Sequence, residues 1–247
     1  MHIVIAILLV LLLVFGPQWW ARRTFRRYAQ ASPHVPGTGA ELARHLLDRF
    51  AMTDVGVERV EQGGDHYDPE HRVVRLSPEN YDRNSLTAVA VAAHEVGHAI
   101  QHQRNDSRLV LRQRLVRVAQ TAQQLGAGAM FLMPVAVAIT RAPSAALITG
   151  AIGLASMASG TLVHLVTLPV ELDASYGKAL PILRDGSYVR PGDEPAVRRV
   201  LSAAALTYVA GSLASLLNLA RCLAWLRRVY PALLTRRRAI LIRHLPL

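Results

Sequence analysis

Long apolar blocks alternate with short charged stretches along this chain, and each block predicts an element. Residues 3–20, IVIAILLVLLLVFGPQWW, carry no charge. As a helix they reach about 27 Å, close to the hydrocarbon thickness of a bilayer. Trp19 and Trp20 stand where an interfacial aromatic belt belongs, and ARRTFRRYAQ follows with four arginines. The charge lies after the apolar core, and only Met1 and His2 precede it. That order predicts an uncleaved anchor, with the N-terminus outside and residue 21 onward in the cytoplasm.

Mixed patterns come next. SPHVPGTG (32–39) has the composition of a linker. In AELARHLLDRFA, Leu42, Leu46, Leu47 and Phe50 recur at helical spacing and predict an amphipathic helix. VGVERVEQ and HRVVRLS are short and β-branched, with turn-like GGDHYDPE between them, and predict a small sheet or hairpin. HRVVRLS is a candidate edge strand for pairing with an extended peptide, while His66 and Tyr67 fall in the polar turn. The stretch from SPENYDRNS to AIQHQRND predicts a helix capped by Asn84 or Ser85 and ended by Asn105–Asp106.

Beyond it, LRQRLVRVAQTAQQ is basic and amphipathic and suits a membrane surface. Residues 125–140 and 145–170 are uncharged runs separated by a turn at RAPS, with His164 in the second run. They predict a transmembrane hairpin, whose small residues Gly150, Gly153, Ser156, Ser159 and Gly160 permit close helix packing. His164 in that setting is an interhelical hydrogen-bonding residue before it is a ligand. A hairpin returns the chain to the side it left, so Glu171 belongs on the same face of the membrane as His94. The last apolar run, 200–226, is either a further span or a helix packed on the catalytic region. As a span it would put the following arginines outside, against the positive-inside tendency.

Composition narrows the class. Hydrophobic residues make up 51% of the 247 positions, aromatics only 6%, and mean hydropathy is +0.23. Lys and Arg number 28 against 17 Asp and Glu, a net charge of +11. The basic clusters abut apolar runs, so the partner they imply is the lipid bilayer, not nucleic acid. Cys222 is the one cysteine, which excludes an intrachain disulfide and zinc held by thiolates.

The chemistry concentrates at 94–102, HEVGHAIQH. Residues four apart on a helix share a face, so His94 and His98 can point imidazoles at one ion, and imidazole suits zinc. Glu95 is rotated off that pair and can act as general base toward a water polarised by the metal, leading to attack on a peptide carbonyl. Gly97 permits another backbone to approach the helix. His102 is two turns from His94 and too distant to share the ion. Gln101 and Arg104 occupy the positions where the longer three-histidine motif needs Gly and His, so that class is excluded. The third ligand must come from elsewhere. LPVELDASYGKAL ends the second apolar run, with Pro169 to kink it, and supplies Glu171 as the predicted ligand. A carboxylate at that depth is costly unless paired or on a metal. Asp173 either orients His94 from behind or is itself the ligand. Tyr208, in LTYVAG, is a candidate donor to a developing oxyanion.

Through AAHEVGHAIQH, LPVELDAS and AAALTYVAG, the chain resembles the YugP-type neutral zinc metallopeptidases of bacterial membranes. The resemblance spans most of the chain and implies a gluzincin-like zinc site, His94, His98 and Glu171 as ligands, Glu95 as catalytic residue, Zn2+ as cofactor and a polypeptide substrate. Glutamate zincins place an Asp four residues after the third ligand; here that position is Ser175, and the nearest acid is Asp173.

The expected architecture is mainly α with a small β-sheet, a zincin-like catalytic region joined to about three to four transmembrane spans. The expected organisation is an anchor and basic segment (1–31), a catalytic region (32–124), a transmembrane hairpin (125–170), a third-ligand segment (171–198) and a C-terminal apolar helix with a basic tail (199–247). The function expected is that of a multi-pass cell-membrane zinc endopeptidase with its active site on the cytoplasmic side. Two alternatives are an intramembrane protease of the site-two type and a non-catalytic scaffold stapled by structural zinc. Fewer than ten apolar residues precede His94, which disfavours the first, and a structural site has no need of Glu95, which disfavours the second.

Overall fold

In the computed structural model the residues described are 2–62, 64–140 and 143–206. Helix α1 (His2–Tyr28) runs well past the apolar stretch that predicts an anchor. Its last two turns divide their faces. Ala21 and Thr24 are buried, whereas Arg22, Arg23, Arg26 and Arg27 are exposed. The expected linker that follows is a packed crossing: Val35 is buried in the core, and Ser32 N–H donates to the Asn84 carbonyl at 2.9 Å.

Helix α2 (Gly39–Arg49) starts with a reciprocal cap, in which Thr38 Oγ1 accepts from Glu41 N–H and Glu41 Oε2 accepts from Thr38 N–H. Gly39 is obligatory there, because a Cβ would meet the Asn80 carbonyl oxygen at 2.1 Å. Ala43, Leu46 and Leu47 bury the face the periodicity predicts, and burying each leucine is worth about 1.5–3 kcal/mol.

Strands β1 (Gly56–Arg59), β2 (His66–Asp68) and β3 (Val73–Leu76) form one sheet in the order β1-β3-β2. Strand β3 pairs parallel with β1, Val57 opposite Val74, and antiparallel with β2, Tyr67 opposite Val74. HRVVRLS is therefore the central strand and has no free edge, which corrects the expectation of an edge strand for substrate. Its burial explains the placement: Val73, Val74 and Leu76 are all in the core, whereas Val57 of β1 is only half-buried. The edges are β1 and β2, and His66 and Tyr67 lie on the latter and not in a turn.

After the single turn α3 (Pro78–Tyr81) comes α4 (Leu86–Gln103), capped by Ser85, whose hydroxyl accepts from Ala88 N–H at 3.1 Å. The helix ends where Asn105 takes a positive φ of 52°. Alanines at 88, 90, 92, 93 and 99 keep it slim enough to be enclosed by α2, the sheet and the chain's later segments. Thr87 Oγ1 donates to the Phe25 carbonyl at 3.0 Å, tying α1 to this helix.

Helix α5 (Ser107–Thr140) joins the basic amphipathic stretch and the first uncharged run into one element, and α6 (Pro143–Leu172) carries the second. Gly126 lies against Ser156, where a Cβ would come within 2.5 Å of the serine Cβ, so the small residues do bring backbones together. Leu125, Leu132, Val135 and Ile139 on α5 and Ile148, Leu162 and Leu165 on α6 are exposed. Among the described residues, Ala151–Asp185 is long and apolar enough to cross a bilayer. Helix α6 passes through Pro169 and widens into a π-helix (Asp173–Ala179), then continues as α7 (Leu180–Asp185). Residues 194–206 are again helical. The remainder of the 200–226 run, Tyr208 included, lies outside the described residues.

The chain divides into two compact units. Met1–Arg114 with His164–Gly211 forms one, and Leu115–Val163 with Ser212–Leu247 forms the other. The core that holds α4 belongs to the first. The architecture is mainly helical with a small three-stranded sheet.

Candidate metal centre

Helix α4 puts His94 and His98 one turn apart, with ring centroids 4.8 Å apart and rings nearly perpendicular. Glu171, at the end of α6, brings its carboxylate to both. Oε2 lies 3.1 Å from His94 Nε2 and 3.4 Å from His98 Nε2. All three residues are buried, Glu171 completely, and one ligand atom from each falls within 4.8 Å of the others. Close packing of the two elements makes this possible. At Gly97 a Cβ would stand 2.9 Å from the Ala174 carbonyl oxygen and 3.3 Å from Lys178 Cβ, so only glycine admits the π-helix. Single π turns recur at functional sites because the extra residue per turn re-aims side chains.

The set fits a divalent cation. Zinc bonds of 2.0–2.1 Å in a tetrahedral arrangement separate donor atoms by about 3.3 Å, and the imidazole–carboxylate separations bracket that value. Two imidazoles and one carboxylate are zinc donors of the catalytic type, leaving a coordination position open. Within the protein itself the carboxylate is under-satisfied: Glu171 Oε1 is buried without a hydrogen-bond partner, and Arg112 Nη2 approaches to 3.3 Å without hydrogen-bond alignment. A buried, incompletely paired carboxylate costs several kcal/mol, and a bound cation removes that cost.

The atoms behind the ligands are held as well. Ser175 Oγ lies 3.1 Å from His94 Nδ1, so the serine four residues after Glu171 occupies the supporting place. Asp173 does not orient His94, as the sequence had suggested it would, nor does it join the cluster. It accepts from Gln101 Nε2 at 2.7 Å, and Gln101 Oε1 faces His98 Nδ1 at 2.9 Å. Lys178 Nζ donates to the same carboxylate at 2.7 Å. His102 stands apart, with Nδ1 2.8 Å from the Tyr67 hydroxyl, and fastens α4 to β2. His164 is half-buried and outside the cluster.

Glu95 is buried beside His94. Burial pushes its pKa up, the charge of His94 opposes this, and the Glu171 and Asp65 carboxylates push the same way as burial, for a value raised to about 7. A cleft of about 170 Å³ opens on it, lined by Phe25, Asp65, Val91, Val200 and Leu201. Asp65 is fixed there by Ser77 N–H at 2.7 Å, Ser77 Oγ at 3.0 Å and Asn80 Nδ2 at 2.8 Å. Sequence reasoning passed over Asp65 and Arg112 and used Gln101 only to exclude the three-histidine motif. Gln101 alone had a legible signal, its place one turn after His98 on the same face. The other two are brought in by tertiary packing.

Comparison with known proteins then decides the family. The family described as "putative neutral zinc metallopeptidase" matches residues 3–227. The chain belongs to it. A curated relative, "Putative membrane protease YugP" of Bacillus subtilis (strain 168), is 39% identical over 214 residues, covering 85% of this chain and 89% of the relative. No solved structure matches the chain.

Proposed function

We propose that this chain is a membrane-anchored zinc endopeptidase that hydrolyses peptide bonds of polypeptide substrates. The observation that carries the reading is the buried Glu171 carboxylate, delivered from 77 residues away onto the two imidazoles of an H-E-x-x-H helix. His94 Nε2, His98 Nε2 and Glu171 hold Zn2+. Zinc in such a site lowers the pKa of water and polarises a carbonyl oxygen. Glu95 is the general base: buried beside His94, it is placed to take a proton from the attacking water and return it to the leaving nitrogen. The apolar walls at Phe25, Val91, Val200 and Leu201 exclude bulk water around that carboxylate. Tyr208 is the proposed donor to the oxyanion.

Membrane anchoring rests on the relative's description as a membrane protease, on the exposed apolar side chains of α5 and α6, and on the length of Ala151–Asp185. In this reading residues 3–20 and both arms of 125–170 span the bilayer, 200–226 adds a fourth span or an interfacial helix, and the arginines after Trp20 keep the active site on the cytoplasmic side.

The test is the Glu95→Gln variant of the full-length protein purified in detergent, measured for zinc content and for cleavage of an unfolded protein substrate. Zinc should remain stoichiometric while hydrolysis falls by about 10²–10⁴-fold, the usual contribution of a positioned acid–base group. Cleavage at the wild-type rate would dismiss Glu95 as the base.

A further inference from the structure

We propose that Gln101 is the positioning residue of His98, fixing which ring nitrogen carries the proton and tying the two ligand-bearing segments together. The inference deepens the zinc-peptidase reading and rests on it for its consequence in metal affinity.

Gln101 lies almost one turn beyond His98 on α4 and is 1% exposed. An amide offers an acceptor oxygen and a nitrogen with two donors. Here Nε2 donates twice, to the Val170 carbonyl at 3.0 Å and to Asp173 Oδ2 at 2.7 Å. Both partners only accept. A flipped amide would aim its oxygen at two oxygens in a buried site, at the full desolvation cost of each unmet group. The orientation is therefore fixed, and Oε1 is left facing His98 Nδ1 at 2.9 Å. Only a protonated Nδ1 can meet an acceptor. Neutral His98 thus holds its proton on Nδ1 and its lone pair on Nε2, the nitrogen turned toward Glu171.

Two further features distinguish this contact from ordinary core satisfaction. Val170 and Asp173 flank the acid ligand, so one amide spans from a ligand on α4 to the segment that delivers Glu171. Lys178 Nζ, 2.7 Å from Asp173 Oδ2, balances the charge at the far end of the chain. His94 has no equivalent. At its Nδ1 the partner is the Ser175 hydroxyl, which donates or accepts with equal ease and so sets no tautomer from that side.

The experiment uses full-length protein in detergent, labelled with nitrogen-15 histidine and stripped of metal. Two-bond proton–nitrogen correlations, recorded where the imidazoles are neutral, report which nitrogen bears the proton. Zinc affinity is then measured by chelator competition. Wild-type His98 should show the proton on Nδ1. Gln101→Met should abolish that pattern at His98 and leave His94 unchanged, while Ser175→Ala should leave the His98 pattern intact. Zinc affinity of Gln101→Met should fall about 10–100-fold, the range for partners behind metal ligands. A wild-type His98 protonated on Nε2 overturns the proposal, and this measurement decides it even if Gln101→Met does not fold. A folded Gln101→Met with His98 and zinc affinity unchanged overturns it equally. Because the tautomer is read without metal, wild-type protein that shows the Nδ1 pattern yet binds no zinc would sink the peptidase reading and leave the tautomer assignment standing.

Discussion

Two clusters of charged side chains, one at the end of the three-residue strand β2 and one on α4, solve opposite problems. At the end of β2, Asp68 accepts from Glu70 N–H at 2.9 Å, from His71 N–H at 3.1 Å and from Arg75, with His71 Nδ1 at 2.8 Å. Every demand of that carboxylate is met by neighbours within seven residues, and Arg75 is shared with Glu58 across the sheet. At the α4 centre, Glu171 is fully buried with one oxygen between two imidazoles and the other without a hydrogen bond. A satisfied polar cluster holds a turn. An unsatisfied one, buried and convergent, asks for a cation. Density of charged residues does not separate the two; unmet hydrogen-bonding capacity does.

Breaking the centre should have the largest effect. Glu171→Ala removes the one anionic ligand, and zinc affinity should fall by more than the ~10–100-fold typical of partners behind the ligands. Chelator competition with purified protein checks this, and wild-type zinc affinity would mean that the carboxylate is not a ligand. Gly97→Ala attacks the same centre through packing. Its Cβ has no room against the Ala174 carbonyl oxygen, so the π-helix must shift, at about 1–3 kcal/mol of stability. Chemical denaturation should show that loss together with weakened zinc binding. Stability matching wild type would mean that the two backbones are not in close contact.

The smallest effect is expected at the satisfied cluster. Burial alone would raise the Asp68 pKa, but hydrogen bonds from His71 and Glu70 backbone N–H groups and from the Arg75 and His71 side chains hold it well below the usual carboxylate range. A depressed carboxylate contributes stability that is fully present above its unfolded pKa and is lost as pH falls through the folded one. Wild type should therefore exceed Asp68→Asn by about 1–2 kcal/mol at neutral pH, with the difference shrinking below about pH 4. Zinc binding should be unchanged. A variant as stable as wild type at neutral pH, or one that loses its zinc, would erase the contrast between the clusters.

Much of the centre could be read before any fold was known, because helical periodicity is a local property. His94, Glu95 and His98 owe their mutual placement to 3.6 residues per turn, and Gly97 to the same helix's need for a close neighbour. The cap at Ser85 and the buried face of α2 were legible for the same reason. HRVVRLS was misplaced at an edge because strand order depends on which segments find each other, and β1 pairs with β3 across the intervening β2. Asp173 was offered as support for His94 or as a ligand, and it reaches His98 only through Gln101, a link made by the packing of the π-helix on α4.

The amino-acid sequence by itself determined the two imidazoles, the base beside them and the apolar lengths of the helices, since each follows from spacing along one segment. Tertiary structure alone decided that Glu171 reaches those imidazoles, that Gln101 stands between His98 and Asp173, and that Ser175 backs His94. Those contacts join residues about 70 to 80 positions apart. They exist only because glycine at 97 and a widened helical turn let two backbones close to van der Waals distance.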